Sequence, residues 1–161
     1  MIPFVYQYSS PVGLLEISGN ENGIESILYD SGNNHPGTIV QGLLKDCIEQ
    51  LNEYFAGKRK VFELPLNPQG TDFQKRVWTE LQKIPYGKTV SYLDIARNIG
   101  DVNSIRAVGN ANGKNKLNII IPCHRVIGIN GKLTGYGGGL WRKQWLLELE
   151  MENSHVGLFG N

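Results

Sequence analysis

Residues 91–113, "SYLDIARNIGDVNSIRAVGNANG", contain two short helical patterns from which the architecture of the C-terminal half of the chain can be predicted. A first helix is predicted to open on Ser91, with Asp94 three residues later in a near capping box, and to end at Gly100. A second helix begins at a capping Asn or Ser and ends at Gly113. Because the short glycine-containing turn "GDV" joins the two, the stretch predicts a helix-turn-helix.

The second of these helices, the predicted recognition helix, carries one long cation on an otherwise small surface. Arg106 projects near its start, and Ala107, Gly109 and Ala111 follow. A smooth helix with a single cation can approach a nucleic-acid groove closely. The alternative is that the small residues simply allow close packing against another helix.

Hydrophobic periodicity divides the rest of the chain into a sheet-containing N-terminal part and a helical C-terminal part. The predicted strands span 2–9, 12–18 and 23–29, and the other predicted helices span 38–57, 71–84 and 140–150. The expected fold class is therefore α+β. It comprises a small N-terminal antiparallel sheet with a helix, followed by a mostly helical C-terminal domain that contains the helix-turn-helix.

A stretch rich in proline and glycine, "ELPLNPQGTD" at 63–72, separates two parts of opposite charge. Residues 1–66 carry four Lys and Arg against eight Asp and Glu, a net charge of −4, whereas residues 67–150 carry twelve against six, a net charge of +6. We predict an N-terminal domain over 1–66, a basic domain over 67–150 of the kind that binds nucleic acid, and a frayed tail over 151–161. A mixed solvated surface would give the same charge count.

Composition excludes several other classes of protein. No stretch of about 18 apolar residues occurs and no export signal opens the chain, so we expect no membrane span and a cytoplasmic location. The two cysteines lack Cys or His partners at ligand spacing, so we expect free thiols and no metal. Cys47 falls on the apolar face of a predicted helix and is interpreted as a small buried hydrophobe.

The second cysteine lies in "IIIPCHRVIG", residues 119–128, where an apolar run predicts a buried strand. Neighbouring side chains of an extended chain point to opposite sides, so any coupling of Cys123 to His124 would run through a water. Arg125 and a polarised His124 would lower the pKa of the thiol and favour the thiolate, which is the nucleophile.

A histidine in this role needs a third group to orient its ring, normally a carboxylate. Glu148 and Glu150 close the last predicted helix, and the apolar residues that precede Glu150 favour its burial. The alternative is that both glutamates are solvated and that His124 is a core residue.

The sequence from Phe73 to Glu150 resembles the C-terminal domain of the O6-alkylguanine-DNA alkyltransferases, also called methylated-DNA-protein-cysteine methyltransferases. Six motifs match in order, namely "FQKRVW", "IPYGKTVSY", "RAVGNANGKN", "IPCHRVIG", "LTGYGGG" and "KQWLLELE". The first 66 residues are compatible with the small N-terminal domain of the family but carry no specific motif. The resemblance implies DNA repair by a single, irreversible transfer of an alkyl group from O6 of guanine to a protein cysteine, with no cofactor. O4 of thymine is a further candidate target.

The resemblance also implies roles for the residues around the thiol. Cys123 would accept the alkyl group, and His124 would relay the thiol proton through a water, with Glu150 orienting the imidazole. Asn115 would tie the recognition helix to the active-site strand.

The family flips the damaged nucleotide out of double-stranded DNA and enters the minor groove, which implies a second set of residues. Tyr92 would press on the phosphate beside the lesion and donate a hydrogen bond to the guanine, and Arg106 would replace the lost base in the stack. Tyr136 and Gly137 would shape the base pocket. The residues implied to contact substrate or DNA are Tyr92, Arg106, Ala107, Gly109, Ala111, Arg125, Val126, Tyr136 and Gly137. A monomer without a membrane partner is expected.

Two departures from the family pattern leave the substrate range and the rate open. Gly137 stands where some members place a serine, and Lys116 stands where a proline commonly follows the hinge asparagine. Two rival functions are a lesion-binding protein without transfer activity, whose known forms lack the cysteine, and a cysteine hydrolase acting on a small acyl substrate. A hydrolase would turn over many times, whereas a suicide acceptor reacts once.

Overall fold

The computed structural model describes the backbone of residues 2–159 and the side chains of residues 2–154. The contacts divide the chain into two compact units, and the division falls between Gln69 and Gly70, inside the "ELPLNPQGTD" stretch. None of the helices in the described part of the chain is long and apolar enough to cross a membrane.

The N-terminal unit is a three-stranded antiparallel sheet with one helix packed on it. The strands pair in sequence order, and the register shifts once, between Ser18 and Gly19. This confirms the predicted meander followed by a helix. The elements are β1 (Phe4–Ser10), β2 (Gly13–Asn20), β3 (Gly23–Tyr29) and α1 (Gly42–Phe55).

Helix α1 buries its apolar face because hydrophobic residues recur every three or four positions along it. Its buried residues are Leu43, Leu44, Cys47, Leu51 and Tyr54. The hydroxyl of Tyr8 on β1 donates to Oδ1 of Asn52 at 2.6 Å, which ties the sheet to the helix. Burial raises the pKa of Cys47 to about 12, so this thiol is the inert core residue that the sequence predicted.

The C-terminal unit is built around the predicted helix-turn-helix. The first helix of the helix-turn-helix begins with a complete capping box, in which the Ser91 hydroxyl accepts from Asp94 N–H and the Asp94 carboxylate accepts from Ser91 N–H. A 3₁₀ turn (Val102–Ser104) leads into the recognition helix. The elements are α2 (Asp72–Leu81), β4 (Val90–Ser91), α3 (Tyr92–Asn98), α4 (Ile105–Gly113), β5 (Val126–Ile127) and α5 (Leu140–Phe159), with β4 and β5 paired in parallel.

Two predicted helix ends differ from the structure by more than three residues. Helix α1 begins at Gly42 rather than at residue 38, and Ile39, which was predicted on its core face, is 70% exposed. Helix α5 does not end at Glu150 but continues to Phe159, so most of the predicted tail is helical. The polar residues after Glu150 do not stop a helix, because no proline interrupts it. Residues 160 and 161 lie outside the described part of the chain.

The indole of Trp78 fixes α2 against the recognition helix. It is 3% exposed, and its Nε1–H donates to the backbone carbonyl of Ala111 on α4 at 2.8 Å. The same carbonyl also accepts from Lys114 N–H at 3.2 Å, so the indole supplies a second, buried donor that ties α2 to the C-terminal end of α4.

Replacing Trp78 with phenylalanine should lower the free energy of unfolding of the C-terminal unit by about 2 kcal/mol or more, because it removes that donor and leaves a cavity. Urea unfolding followed by fluorescence measures the effect, since Trp141 and Trp145 remain as reporters in the same unit. Trp141→Phe is the control, because Trp141 is 56% exposed and should cost less than about 1 kcal/mol. Equal losses in the two variants would contradict this role of Trp78.

Candidate active site

The segment that carries Cys123 is a succession of tight turns. Ile120 N–H donates to the Asn118 carbonyl at 2.9 Å and closes a γ-turn centred on Ile119, whose φ is 75°. Cys123 N–H donates to the Ile121 carbonyl at 2.8 Å and closes a second γ-turn. Positive φ at a β-branched residue is a strained conformation that persists only where the surrounding structure imposes it.

These turns correct the prediction of a buried strand over 119–128. Only Val126–Ile127 forms a strand, and Cys123–Arg125 is a 3₁₀ turn. Pro122 has no N–H to donate to a sheet ladder, which is one physical reason why the apolar run does not extend as a strand. Apolar composition alone did not distinguish a buried turn from a buried strand.

Two buried asparagines connect this segment to the recognition helix. Asn115 follows the end of α4, donates from Nδ2 to the Ile121 carbonyl at 2.9 Å and accepts from Leu117 N–H at 2.9 Å. Asn112, within α4, donates from Nδ2 to the Cys123 carbonyl at 3.4 Å. The recognition helix and the segment that carries the thiol are therefore joined by direct hydrogen bonds.

Beside the thiol, one buried carboxylate organises the charged groups. Glu150 on α5 accepts from Nε2 of His124 at 2.7 Å, from Nε and Nη2 of Arg125 at 2.7 and 3.0 Å, and from Gly87 N–H at 3.2 Å. Glu150 and His124 are both fully buried. The structure thus brings together the histidine and the carboxylate that the sequence suggested, and it selects Glu150 over the exposed Glu148.

The "IPYGK" motif encloses this network. The Ile84 carbonyl accepts from Nη1 of Arg125 at 2.7 Å, the Tyr86 ring lies 5.7 Å from the guanidinium carbon, and Gly87 supplies its N–H to Glu150. No role was predicted for these residues individually, because their contribution comes mostly from backbone atoms. A backbone contact leaves little trace in residue type, apart from the glycine, whose φ of 76° favours the absence of a side chain.

The network holds Glu150 ionised and His124 neutral. Burial raises the pKa of Glu150, but the charges of and hydrogen bonds from His124 and Arg125 outweigh it and hold that pKa well below its ordinary value. Burial lowers the pKa of His124 and outweighs the attraction of Glu150. A neutral imidazole that donates from Nε2 has its basic lone pair on Nδ1, and this buried atom has no hydrogen-bond partner among the described residues.

The position of Arg125 corrects its predicted assignment to substrate or DNA. Its side chain is 7% exposed, and its hydrogen bonds go to Glu150 and to the Ile84 carbonyl. A buried carboxylate needs such a counter-charge to remain ionised. We therefore interpret Arg125 as the counter-charge that keeps Glu150 ionised.

The thiol of Cys123 is buried and protonated in the resting protein. It is 4% exposed and lies 4.0 Å from Oδ1 of Asn118. Burial raises its pKa to about 11, although a hydrogen bond from Asn115 and the charge of Lys143 act in the opposite direction. Arg125 and His124 were predicted to lower the pKa of this thiol, but the side chains that lower it are Asn115 and Lys143, and burial outweighs both.

Lys143 is a site residue that the sequence reasoning missed. Its Nζ donates to the carbonyls of Thr134 at 2.8 Å and Gly135 at 3.4 Å, and burial lowers its pKa to about 8. It precedes Glu150 by seven residues, two turns of α5, so both side chains lie on one helix face. This spacing was the signal in the sequence that could have found it.

The glycine-rich loop at residues 133–139 precedes α5 and is hydrogen-bonded to side chains in the first turn of that helix. Lys143 holds the loop at residues 134–135, and Nη1 of Arg142 donates to the Gly138 carbonyl at 3.0 Å. Between these anchors Tyr136 is half-buried and Gly137 is exposed. A Cβ placed at Gly137 would meet nothing within 4 Å, so this position has room for a larger side chain.

The recognition helix presents only part of the predicted surface. Arg106 and Ala107 are exposed, and a Cβ placed at Gly109 would lie 4.0 Å from the Tyr92 ring. Ala111, predicted to face DNA, is only 3% exposed, and its backbone carbonyl accepts from the Trp78 indole, so it is a buried residue of α4. Of the other predicted contacts, Val126 is fully buried and pairs with Val90 of β4.

Glu150→Gln should destabilise the C-terminal unit by about 3–5 kcal/mol at neutral pH, because it leaves the Arg125 guanidinium buried without its counter-charge. The folded-state pKa of Glu150 lies below its ordinary value of 4.5. Its stabilising effect is therefore complete above pH 4.5 and is lost as the pH falls below that value. Urea unfolding as a function of pH should show a shallower acid loss in the variant than in the parent protein.

The matched control for this change is Glu148→Gln, an exposed carboxylate on the same helix, for which we expect less than about 0.5 kcal/mol. Similar losses in the two variants, or an unchanged acid dependence in Glu150→Gln, would contradict the central place of Glu150.

Family models match both parts of the chain. Residues 5–68 match the ribonuclease-like domain of 6-O-methylguanine DNA methyltransferase, and residues 72–152 match its DNA binding domain. Curated relatives are named methylated-DNA–protein-cysteine methyltransferase. The relative from Methanosarcina acetivorans is 46% identical, with 89% of this chain and 95% of the relative covered. The relative from Mycobacterium bovis is 47% identical, with 92% and 93% covered.

Solved structures of a Mycobacterium tuberculosis protein have the same fold. The crystal structure of its O6-methylguanine methyltransferase is 45% identical and superposes with a TM-score of 0.85, covering 94% of each chain. A second structure, of M. tuberculosis OGT in complex with DNA, is 47% identical with a TM-score of 0.83, covering 91% of this chain and 92% of the other. Together with the two domain matches, these similarities place the chain in the 6-O-methylguanine DNA methyltransferase family.

Proposed function

We propose that this protein repairs double-stranded DNA by transferring the alkyl group from O6 of guanine to Cys123, once per molecule. The observation that carries the proposal is the buried His124–Glu150–Arg125 network directly beside the cysteine. It lies within the residues that match the DNA binding domain of the family. The solved complex of an OGT relative with DNA supports a DNA substrate.

The proposed reaction needs a proton acceptor close to the thiol. Because burial raises the pKa of Cys123 to about 11, the thiol does not ionise by itself at neutral pH. In the proposal its proton passes through a water to Nδ1 of His124, and the carboxylate of Glu150 stabilises the imidazolium that forms. The charge of Lys143 and the amide of Asn115 favour the thiolate.

The transfer itself is an in-line displacement at the carbon attached to O6. The thiolate forms the S–C bond while the C–O bond breaks, and its electron pair stays with the guanine, which takes up a proton. The thioether is chemically stable, so the acceptor cysteine is consumed by the reaction. One alkyl group per protein is therefore the expected stoichiometry.

The base must leave the helix stack to reach a buried thiol, so the proposal includes nucleotide flipping. Arg106, exposed at the start of α4, fills the vacated space, while α4 lies in the minor groove. Tyr92 contacts the phosphate and the guanine, and Tyr136 with Gly137 borders the pocket. The hydrogen bond from Asn112 to the Cys123 carbonyl joins this helix to the segment that carries the thiol. The proposal is for a cytoplasmic monomer.

Incubation with an oligonucleotide that carries one O6-methylguanine should add one methylene to the protein mass, saturate at one per molecule, and map to Cys123. Intact-mass spectrometry followed by peptide mapping measures all three results. Cys123→Ala should abolish the adduct yet retain binding to the alkylated DNA, and Cys47→Ala should leave the adduct unchanged. Binding without any adduct in the parent protein would favour a lesion-binding protein, and many products per protein would favour a hydrolase.

Arg106→Ala should slow repair of duplex DNA about tenfold, because an unfilled stack makes flipping costlier by more than about 1 kcal/mol. Its effect on free O6-benzylguanine, which needs no flipping, should be less than about twofold. Single-turnover rates on the two substrates measure the difference. Arg59→Ala, which removes the same charge from the N-terminal unit, should change neither rate, and equal losses on both substrates in Arg106→Ala would contradict the role in flipping.

A further inference from the structure

Thr134 is hydrogen-bonded both to the phenol of Tyr92 and to a buried lysine. Its hydroxyl donates to Oη of Tyr92 at 3.3 Å, and its backbone carbonyl accepts from Nζ of Lys143 at 2.8 Å. Tyr92 begins α3, whereas Lys143 lies in the first turn of α5, so one loop residue connects the two helices. No role was predicted for Thr134, although it lies within the "LTGYGGG" motif.

The backbone at Thr134 has a fixed position because Lys143 holds it from the protein interior. The Lys143 side chain is fully buried, and its Nζ also donates to the Gly135 carbonyl at 3.4 Å. A buried ammonium group must keep its hydrogen-bond acceptors, since leaving it without them is costly. The loop backbone at 134–135 is therefore anchored to α5, while the Thr134 side chain itself is exposed.

The surroundings of Thr134 also orient its side chain. A threonine is branched at Cβ, so its χ1 angle is restricted. The Thr134 methyl group lies 3.6 Å from the position that a Cβ on Gly128 would occupy. It therefore packs close to the turn in which Gly128 N–H donates to the Lys132 carbonyl at 2.9 Å. With the methyl group on that side, the hydroxyl is directed to Tyr92.

The Tyr92 side chain contacts the recognition helix with its ring and the loop with its oxygen. A Cβ placed at Gly109 on α4 would lie 4.0 Å from Cδ1 of the ring, an ordinary contact distance. A tyrosine side chain can turn about two torsions, so a hydrogen bond to its oxygen restricts where the hydroxyl lies. Thr134 supplies that restriction from the side of the loop.

The direction of this hydrogen bond determines what the phenol can do. Because Oη of Tyr92 accepts from Thr134, the single phenolic hydrogen points away from Thr134. Hydrogen bonds in a chain polarise one another, so a phenol that accepts one bond is a stronger donor of the next. Phosphate oxygens and the acceptor atoms of a guanine are groups to which such a hydrogen can donate.

We propose that Thr134 is a positioning residue for the repair reaction, whose hydroxyl holds the Tyr92 phenol in the orientation in which it contacts the flipped nucleotide. The inference rests on the proposed function and on the role of Tyr92 within it. Thr134 acts through Tyr92 and not on the reacting atoms. Removal of the Thr134 hydroxyl should therefore matter only while Tyr92 has its own hydroxyl.

A double-mutant cycle tests this dependence on duplex DNA that carries one O6-methylguanine. Thr134→Val keeps the shape of the side chain but removes the hydroxyl. It should lower the limiting single-turnover rate about three- to fivefold, as expected for the loss of one hydrogen bond. In a Tyr92→Phe background the same change should lower the rate less than about 1.5-fold, because the bond is already absent. A merely structural effect of Thr134 would appear in both backgrounds.

Two control variants make the result specific. Thr134→Ser keeps a hydroxyl that can make the same bond, so it should retain at least about half of the parent rate. Thr79→Val makes the same change at an exposed threonine of α2, whose hydroxyl donates to the Lys75 carbonyl at 2.8 Å, and should leave the rate unchanged. Thr134→Val should unfold at the same urea concentration as the parent protein. If it unfolds earlier, Thr134→Ala replaces it in the cycle.

The methyl adduct on Cys123 separates failure of this inference from failure of the proposed function. An adduct that forms at the parent rate in Thr134→Val would overturn the role of Thr134 alone. An equal loss of rate in both backgrounds would also overturn it, and so would a loss in Thr134→Ser as large as in Thr134→Val. No adduct on Cys123 of the parent protein would refute the proposed function itself.

Discussion

The buried carboxylate of Glu150 is the constraint on which the C-terminal unit depends. It joins groups from three separated parts of the chain, namely the "IPYGK" loop, the Cys123 segment and α5, through one pair of oxygen atoms. A charge without solvent must be paired, so Arg125 is as necessary as His124. The same bonds that stabilise the fold also fix the imidazole ring and its tautomer. A change at Glu150 would therefore affect both the stability of the fold and the orientation of His124.

A second connection runs from the recognition helix to the thiol. Trp78 holds α4 from one side, and Asn112 and Asn115 join its C-terminal end to the turns around Cys123. A protein that must recognise a lesion on DNA and react with it inside a pocket needs its recognition helix and its reactive thiol in a fixed relative position. The hydrogen bonds of Asn112 and Asn115 hold the recognition helix in place relative to the segment that carries Cys123.

Much of the architecture could be predicted from sequence because it depends on local signals. The capping box at Ser91, the periodicity of α1 and the short apolar runs of the first three strands are local patterns, and the structure has the corresponding elements. The turns at 117–125 could not be predicted, because a strained φ at Ile119 is imposed by the packed surroundings and is disfavoured by the residue itself. Likewise, the pairing of Arg125 with Glu150 joins residues 25 positions apart, and no local pattern encodes it.

The pKa of the nucleophile was mispredicted for a related reason. Sequence shows which charged residues lie near a cysteine along the chain, but burial decides which effect dominates, and burial is a property of the fold. At Cys123 the desolvation outweighs the favourable neighbours. The contribution of Lys143 was overlooked because this residue lies on α5, twenty positions after Cys123 in the sequence.

The burial of Cys123 also determines how long an unused molecule stays functional. A protein that accepts one alkyl group cannot recover from a wasted reaction, so its thiol must survive contact with peroxides and small electrophiles before it meets damaged DNA. Oxidation begins at exposed thiolates, whereas Cys123 is 4% exposed and protonated. The raised pKa that keeps the resting thiol protonated thus also protects it from oxidation before it meets damaged DNA.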